Sequence, residues 1–239
     1  MSDALRIALV AEGPTDTIVI TAALRAMLDG TSFVMTQLQP EGSIGFGERG
    51  GGWPGVYRWC KQSAKRGRGR IARDFLVLDF FDALVIHVDA DVAGKTYRDA
   101  AIVPAARDRA LPCERPCPSA AATVDALRSV VLGWCGESAT PDKVVVCVPS
   151  KSSEAWVVAS LFPADAAVGA GPLFECHANP ESRLGVQKKA YRIAKSQHGY
   201  ENNADKLRAA WPSIAGPRGL PQARRFQAEL LGVLGSAGR

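Results

Sequence analysis

Three acidic side chains stand after apolar runs of the sequence, where strands would end. Glu12 follows the run at residues 5–10, and Asp89 and Asp91 follow the run at residues 83–88. In an extended chain alternate side chains share a face, so an Asp-x-Asp pair presents both carboxylates toward one edge. Carboxylates brought together repel one another unless protons or a cation neutralise them. The pattern therefore predicts a site for a divalent ion, and Mg²⁺ or Mn²⁺ suits such oxygen ligands.

The elements that would position these acids alternate along the chain between strands and helices. Apolar runs predict strands at residues 5–10, 33–38, 83–88 and 143–148. Helical spacing predicts helices at residues 18–28, 56–65, 71–80 and 120–134, the last capped by Ser119, and another beginning near Glu154. Continuous apolar strands joined by helices are typical of an α/β fold with a parallel four-stranded sheet flanked by helices. Ligands bind beyond the carboxyl ends of such strands, which is where the three acids fall.

The chain divides into a predicted catalytic domain and a helical C-terminal extension. We assign residues 1–165 to the α/β domain, with insertions at 42–55 and 94–118. Residues 166–239 would pack on it as an extension with helices at 184–196, 203–211 and 221–234. The first insertion holds seven glycines but lacks the Gly-Lys-Ser/Thr ending of a P-loop, which favours a flexible flap. Trp53 and Trp59 near it would stack on bases or pack in the core.

Composition places the chain among ordinary globular proteins. It has 239 residues, of which 47% are hydrophobic, and a formal net charge of +5. No apolar run approaches the roughly 20 residues of a membrane span, and the N-terminus lacks the basic region of a signal peptide. These features predict a cytoplasmic protein without membrane association. In a cytosolic protein of this size, its six scattered cysteines are expected as free thiols. A zinc site made by Cys113, Cys117, Cys176 and His177 is the disfavoured alternative, because their spacing is not a standard one.

Basic residues are concentrated in two stretches of the sequence, and we call these stretches the first and second basic runs. Each is expected either to contact the phosphates of a nucleic acid or to form a solvated helix face. DNA is the preferred partner over RNA. The predicted nucleic-acid contacts are Lys65, Arg66, Arg68 and Arg70 in the first basic run, and Lys188, Lys189 and Lys195 in the second.

Three segments resemble a known family. Val-Ala-Glu-Gly-Pro-Thr-Asp at residues 10–16, followed by His-Val-Asp-Ala-Asp at 87–91, resembles the toprim domain of topoisomerases, bacterial primases and OLD-family nucleases. Pro-Ser-Lys-Ser-Ser-Glu-Ala-Trp at 149–156 resembles the small stand-alone toprim proteins, in which a Glu-x-Trp element opens a helix after the fourth strand. The resemblance covers roughly residues 5–161 and implies a toprim-like fold.

The resemblance also implies Mg²⁺-dependent phosphodiester chemistry. Glu12 would then be a metal ligand or a general base, and Asp89 and Asp91 would be metal ligands. Asp16 and Glu154 could join a second metal position, since two ions about 3.5–4 Å apart can clamp the attacking and leaving oxygens of a phosphate. His87 is expected to be packed or hydrogen-bonded within its strand rather than catalytic.

A basic residue would complete such a site by neutralising charge on the reacting phosphate. Lys151 and the second basic run are the candidates. The four tyrosines lack a nucleophile context, so the resemblance favours a metal-dependent nuclease that uses water, a candidate effector of a bacterial anti-phage defence system. One alternative is a non-catalytic or partner-activated toprim subunit that binds a separate ATPase or nucleic acid. A phosphotransfer enzyme is disfavoured, because that chemistry places an Asp where this chain has Glu12.

Overall fold

The centre of the molecule is a four-stranded sheet in which every strand is parallel to its neighbours. The structure is a computed structural model and describes residues 4–42, 47–118, 120–189 and 192–237. The order across the sheet is β2-β1-β3-β4. The strands are β1 (Leu5–Val10), β2 (Phe33–Gln39), β3 (Ala83–His87) and β4 (Val144–Cys147). The predicted α/β fold with a parallel four-stranded sheet is therefore confirmed.

Helices flank the sheet and also form the C-terminal region. Among the described residues, none of them is long and apolar enough to cross a membrane. Those that follow β1, β2 and β3 are α1 (Pro14–Met27), α2 (Gly52–Arg66), α3 (Phe75–Leu78) and α4 (Ala121–Trp134). After β4 come α5 (Glu154–Leu161), α6 (Ser182–Gly185), α7 (Gln197–Glu201), α8 (Ala204–Ile214) and α9 (Pro221–Ala237).

The alternation of side chains along the strands creates one core on each face of the sheet. Ile7 and Leu9 of β1 point into a core with α1, α5, α8 and α9. Ala8 and Val10 point into the opposite core with α2 and α4. Both faces are covered, which is why the strands read as continuous apolar runs rather than as alternating patterns.

The C-terminal helices complete the first of these cores. Trp156 of α5 packs edge-on against Trp211 of α8, with ring centroids 5.2 Å apart. It also stacks on Phe226 of α9 at 5.9 Å. Burial of large aromatic rings contributes strongly to core stability. Residues 204–237 are thus bound to the sheet domain by shared apolar packing.

The strand order creates a crevice at the carboxyl edge of the sheet. From β1 the chain crosses to β2 on one side, whereas β3 and β4 lie on the other side of β1. α1 covers one face, and α2 and α4 cover the opposite face. The loops that follow β1 and β3 therefore diverge, and such a switch point is where open α/β sheets bind their ligands.

Several helix predictions need correction. The flap predicted at 42–55 is too long, because α2 already begins at Gly52 and buries Trp53 against Trp134. Trp59 is also buried, so both residues pack in the core. The helix predicted at 184–196 is wrong: among the residues described there, the α-helix is confined to Ser182–Gly185. A tertiary hydrogen bond from Gln187 to Asp165 holds the segment instead. Ser119 and residues 43–46 lie outside the described residues.

The prediction that all six cysteines are free is wrong for one pair. Cys117 of the second insertion forms a disulfide with Cys176, at a sequence separation of 59. Cys60, Cys113, Cys135 and Cys147 are free. The pairing results from the way the second insertion folds beside the loop after β4, which no local sequence pattern indicates. It joins that insertion to the C-terminal region.

Candidate metal centre

The loop between β1 and α1 places two acids at the switch point. The N–H of Gly52 donates to the carbonyl of Glu12 at 2.8 Å and fixes the loop against the start of α2. Gly13 adopts an extended backbone, and Pro14 begins α1. Proline suits the first helical position because its missing N–H would have no partner there. Asp16 lies in the first turn, where the helix dipole stabilises a carboxylate.

The end of β3 brings a histidine and an aspartate to the same place. His87 is the last residue of β3 and is fully buried, and Asp89 is nearly so. The two side chains share a face because they are two positions apart in extended chain. His87 Nε2 lies 3.2 Å from Asp89 Oδ1. Asp16, His87 and Asp89 each offer one ligand atom, and these atoms lie within 4.8 Å of one another.

Ser153, at the start of α5, connects the two aspartates. Its hydroxyl donates to Asp16 Oδ1 at 2.6 Å, and its backbone N–H donates to Asp89 Oδ1 at 3.0 Å. Glu12 Oε1 accepts a hydrogen bond of 2.8 Å from the N–H of Asp89. Loops after β1, β3 and β4 are thereby joined, and both aspartates are held in fixed orientations. The sequence places Ser153 within the motif at residues 149–156, but nothing in its local pattern predicts contacts with the two aspartates.

Glu12, His87 and Asp89 hold protons more strongly than the same side chains do in water. Burial raises the pKa of Glu12 to about 8, and the charge of Asp89 adds to the shift. Burial likewise raises the pKa of Asp89 to about 7, with help from Asp16. Burial alone would lower the pKa of His87, but Asp16, Asp89 and Glu12 together raise it to about 9. The buried negative charge of the carboxylates must therefore be neutralised, either by protons or by a cation.

Asp91 lies apart from this group. Its side chain is 54% exposed and pairs with Lys95 at 3.2 Å. The prediction that both carboxylates of the Asp-x-Asp pair face one edge assumed that the strand continues through them. β3 instead ends at His87, and the chain enters a 3-10 turn at Ala90–Val92. His87 is the residue whose side chain lies beside that of Asp89. It precedes Asp89 by two positions, and this spacing is the sequence signal that could have identified it.

Glu154 is fully buried beside the group and has partners of its own. Its Oε1 accepts a hydrogen bond from the Tyr200 hydroxyl at 3.0 Å and lies 3.2 Å from Lys195 Nζ. Lys195 also pairs with Glu181 at 3.0 Å. Within the described residues Glu154 Oε2 has no hydrogen-bond partner. Glu154 is thus bound to the C-terminal region, while its charge still contributes to the raised pKa of Asp89.

Lys151 lies in the loop after β4 and already has an acidic partner. It adopts a left-handed backbone with φ of 61°, and its carbonyl accepts from the N–H of Asp91 at 2.8 Å. Its ammonium group pairs with Glu114 of the second insertion. The charge predicted to face a reacting phosphate is therefore partly neutralised in this conformation.

The second basic run contacts the site through Lys195, whereas the first basic run lies far from it. α2 begins beside Glu12 and has 15 residues, so it carries the chain about 22 Å away at about 1.5 Å per residue. The first basic run, at and beyond the end of α2, is consequently at the opposite edge of the sheet. Two of its members, Arg66 and Arg70, also pair with buried carboxylates. In the second basic run, Lys195 reaches the site through Glu154, and Lys188 and Lys189 are exposed on the preceding segment.

Comparison with known proteins gives no match: no family model, no curated protein and no solved structure matches the chain. The resemblance to toprim domains stays a prediction that rests on the motifs at residues 10–16, 87–91 and 149–156.

The raised pKa values predict how stability depends on pH in the metal-free protein. Glu12, His87 and Asp89 have pKa values in the native state that lie above their ordinary ones. The native state therefore binds more protons than the unfolded chain up to about pH 9. The free energy of unfolding, measured by urea denaturation with a chelator present, should fall from pH 6 to pH 9. Asp89→Asn should make this fall smaller, because it removes one group with a raised pKa and also removes a negative charge that raises the pKa values of Glu12 and His87.

Asp79→Asn is the matched control for that measurement, since Asp79 is exposed and lies outside the group. It should keep the wild-type pH dependence. A free energy of unfolding that rises between pH 6 and 9, or an equal fall in Asp89→Asn and the wild type, would contradict the electrostatic description of the site.

Proposed function

We propose that this protein is a metal-dependent nuclease that hydrolyses phosphodiester bonds, with DNA as the preferred substrate over RNA. The observation that carries the proposal is the convergence of Asp16, His87 and Asp89 at the switch point of a parallel sheet. A bound Mg²⁺ or Mn²⁺ would polarise a phosphate oxygen and make a bound water more acidic. The carboxylates of Asp16 and Asp89 are donors that fit such an ion, and His87 places a nitrogen atom beside them.

The residues around these ligands have separable tasks. Ser153 orients both aspartates, as hydrogen bonds around metal ligands commonly do. Glu12 is only partly buried and lies at the rim of the group. Its raised pKa makes the ionised carboxylate a stronger base than an ordinary glutamate, so that it can accept the proton of an attacking water. Glu12 is therefore the general base in this proposal.

The second basic run supplies the surface for the polyanion. Lys188 and Lys189 are exposed, and Lys195 stands beside Glu154 at the site. Lysines that contact phosphates bind nucleic acid without sequence preference, and this binding weakens with salt. The motifs shared with OLD-family nucleases support a role as a cytoplasmic effector of anti-phage defence.

A partner-activated subunit is the second candidate function. Asp16 and Asp89 are only 7% and 8% exposed, and Lys151 is paired with Glu114. Little of the charged site therefore meets solvent in this conformation. A separate ATPase, or nucleic acid itself, would then have to separate Lys151 from Glu114 before this lysine could contact a phosphate.

Plasmid cleavage tests the proposed activity. Purified full-length protein should nick supercoiled plasmid with Mn²⁺ or Mg²⁺, and Asp89→Asn should lower the rate by at least about 100-fold, because a charge that stabilises the reaction is lost. Asp79→Asn should cleave at the wild-type rate. Cleavage that persists in Asp89→Asn would refute the nuclease assignment. Activity that appears only with an added partner protein would favour the second candidate.

The placement of the basic runs predicts unequal effects on DNA binding. Lys188→Ala/Lys189→Ala and Lys65→Ala/Arg68→Ala each remove two positive charges. The first pair should weaken binding and reduce the slope of log K against log salt by up to about 0.9 per lost phosphate contact. The second pair should change neither, because it lies at the far edge of the sheet. Equal effects in a salt-dependent anisotropy titration would contradict this placement.

A further inference from the structure

Of the three histidines, His87 is the one that is buried. Its side chain is fully buried at the end of β3, and neither ring nitrogen makes a hydrogen bond of good geometry within the described residues. His198, by contrast, is exposed and interacts with Asn202. Buried polar groups nearly always have a hydrogen-bond partner. The ring nitrogens of His87 lack one, although Nε2 lies 3.2 Å from Asp89 Oδ1, so this imidazole points to a ligand.

The surroundings of His87 indicate what kind of ligand this is. Nε2 lies 3.2 Å from Asp89 Oδ1, and a carboxylate oxygen of Asp16 completes a group within 4.8 Å. Neighbouring ligands of one ion at about 2.1 Å stand about 3 Å apart, which matches the nitrogen–oxygen separation. Ser153 fixes both carboxylates from behind. The group is arranged around a small cation.

We infer that His87 is a direct nitrogen ligand of this centre, and that the centre consequently prefers a transition-metal ion such as Mn²⁺ over Mg²⁺. Mg²⁺ takes oxygen ligands and retains much of its water, whereas imidazole nitrogen favours first-row transition metals. The inference rests on the metal centre of the proposed function and names the class of ion that it takes.

A different arrangement of the same atoms has to be distinguished from this one. A protonated His87 could pair with Asp89 and neutralise the acids without any metal. In that case a divalent ion, if bound, would sit on carboxylates alone. The two arrangements differ in whether a histidine nitrogen touches the metal, which is directly measurable.

Electron spin-echo envelope modulation of Mn²⁺ bound to the full-length protein tests the inference. A ¹⁴N coupling should be present in the wild type, retained in His198→Gln and lost in His87→Gln. Removing a ligand should lower Mn²⁺ affinity about 10- to 100-fold, by analogy with losses seen around metal sites. Titrating Mg²⁺ against bound Mn²⁺ should show at least about tenfold preference for Mn²⁺ in the wild type.

A second protein keeps the test decisive if His87→Gln does not fold. His177→Gln/His198→Gln leaves His87 as the only histidine of the chain. Preparing it with [¹⁵N]histidine should replace the ¹⁴N modulation by that of ¹⁵N, with no change at His87. Bound Mn²⁺ without histidine coupling would overturn the inference and leave the nuclease proposal standing. Absence of Mn²⁺ binding would overturn both, and coupling without DNA cleavage would overturn only the nuclease proposal.

Discussion

The structure of the site depends on how the negative charge of the buried carboxylates is neutralised at the ends of β1 and β3. Asp16 and Asp89 are buried within a few ångströms of each other, and both are hydrogen-bonded to Ser153. Two nearby carboxylates with little access to water repel each other strongly, so this arrangement requires protons or a cation. The imidazole of His87 can serve in either case, because it can take up a proton or coordinate a metal ion. The charge of this group, more than any single residue, gives the site its chemical capacity.

The fold explains why these residues meet. Parallel strands end at one edge, and the order β2-β1-β3-β4 makes the loops after β1 and β3 diverge there. α1 then carries Asp16 over the face on which His87 and Asp89 lie. α5 brings Ser153 and Glu154 from the next strand, and the C-terminal helices pack behind it. The C-terminal region contributes to the site through Lys195 as well as to the core.

The sequence predicted those features that depend on local apolar pattern. Four apolar runs became the four strands, and Glu12 and Asp89 were placed at strand ends because the runs stop just before them. Asp91 was misplaced since no pattern shows that β3 ends at His87 and a 3-10 turn follows. Ser153 was missed because its two hydrogen bonds span 64 and 137 residues of sequence. The distance of the first basic run from the site depends on the direction and length of α2, which composition does not reveal.

The central claim is that Asp16, His87 and Asp89 hold one divalent ion at the switch point. Crystals grown with Mn²⁺ and measured at the manganese absorption edge test it most directly, because anomalous scattering locates the ion without reference to activity. We expect an anomalous peak within bonding distance of His87 and both aspartates. A peak bound by Asp91 or Glu154 instead, or no peak beside His87 at saturating Mn²⁺, would contradict it.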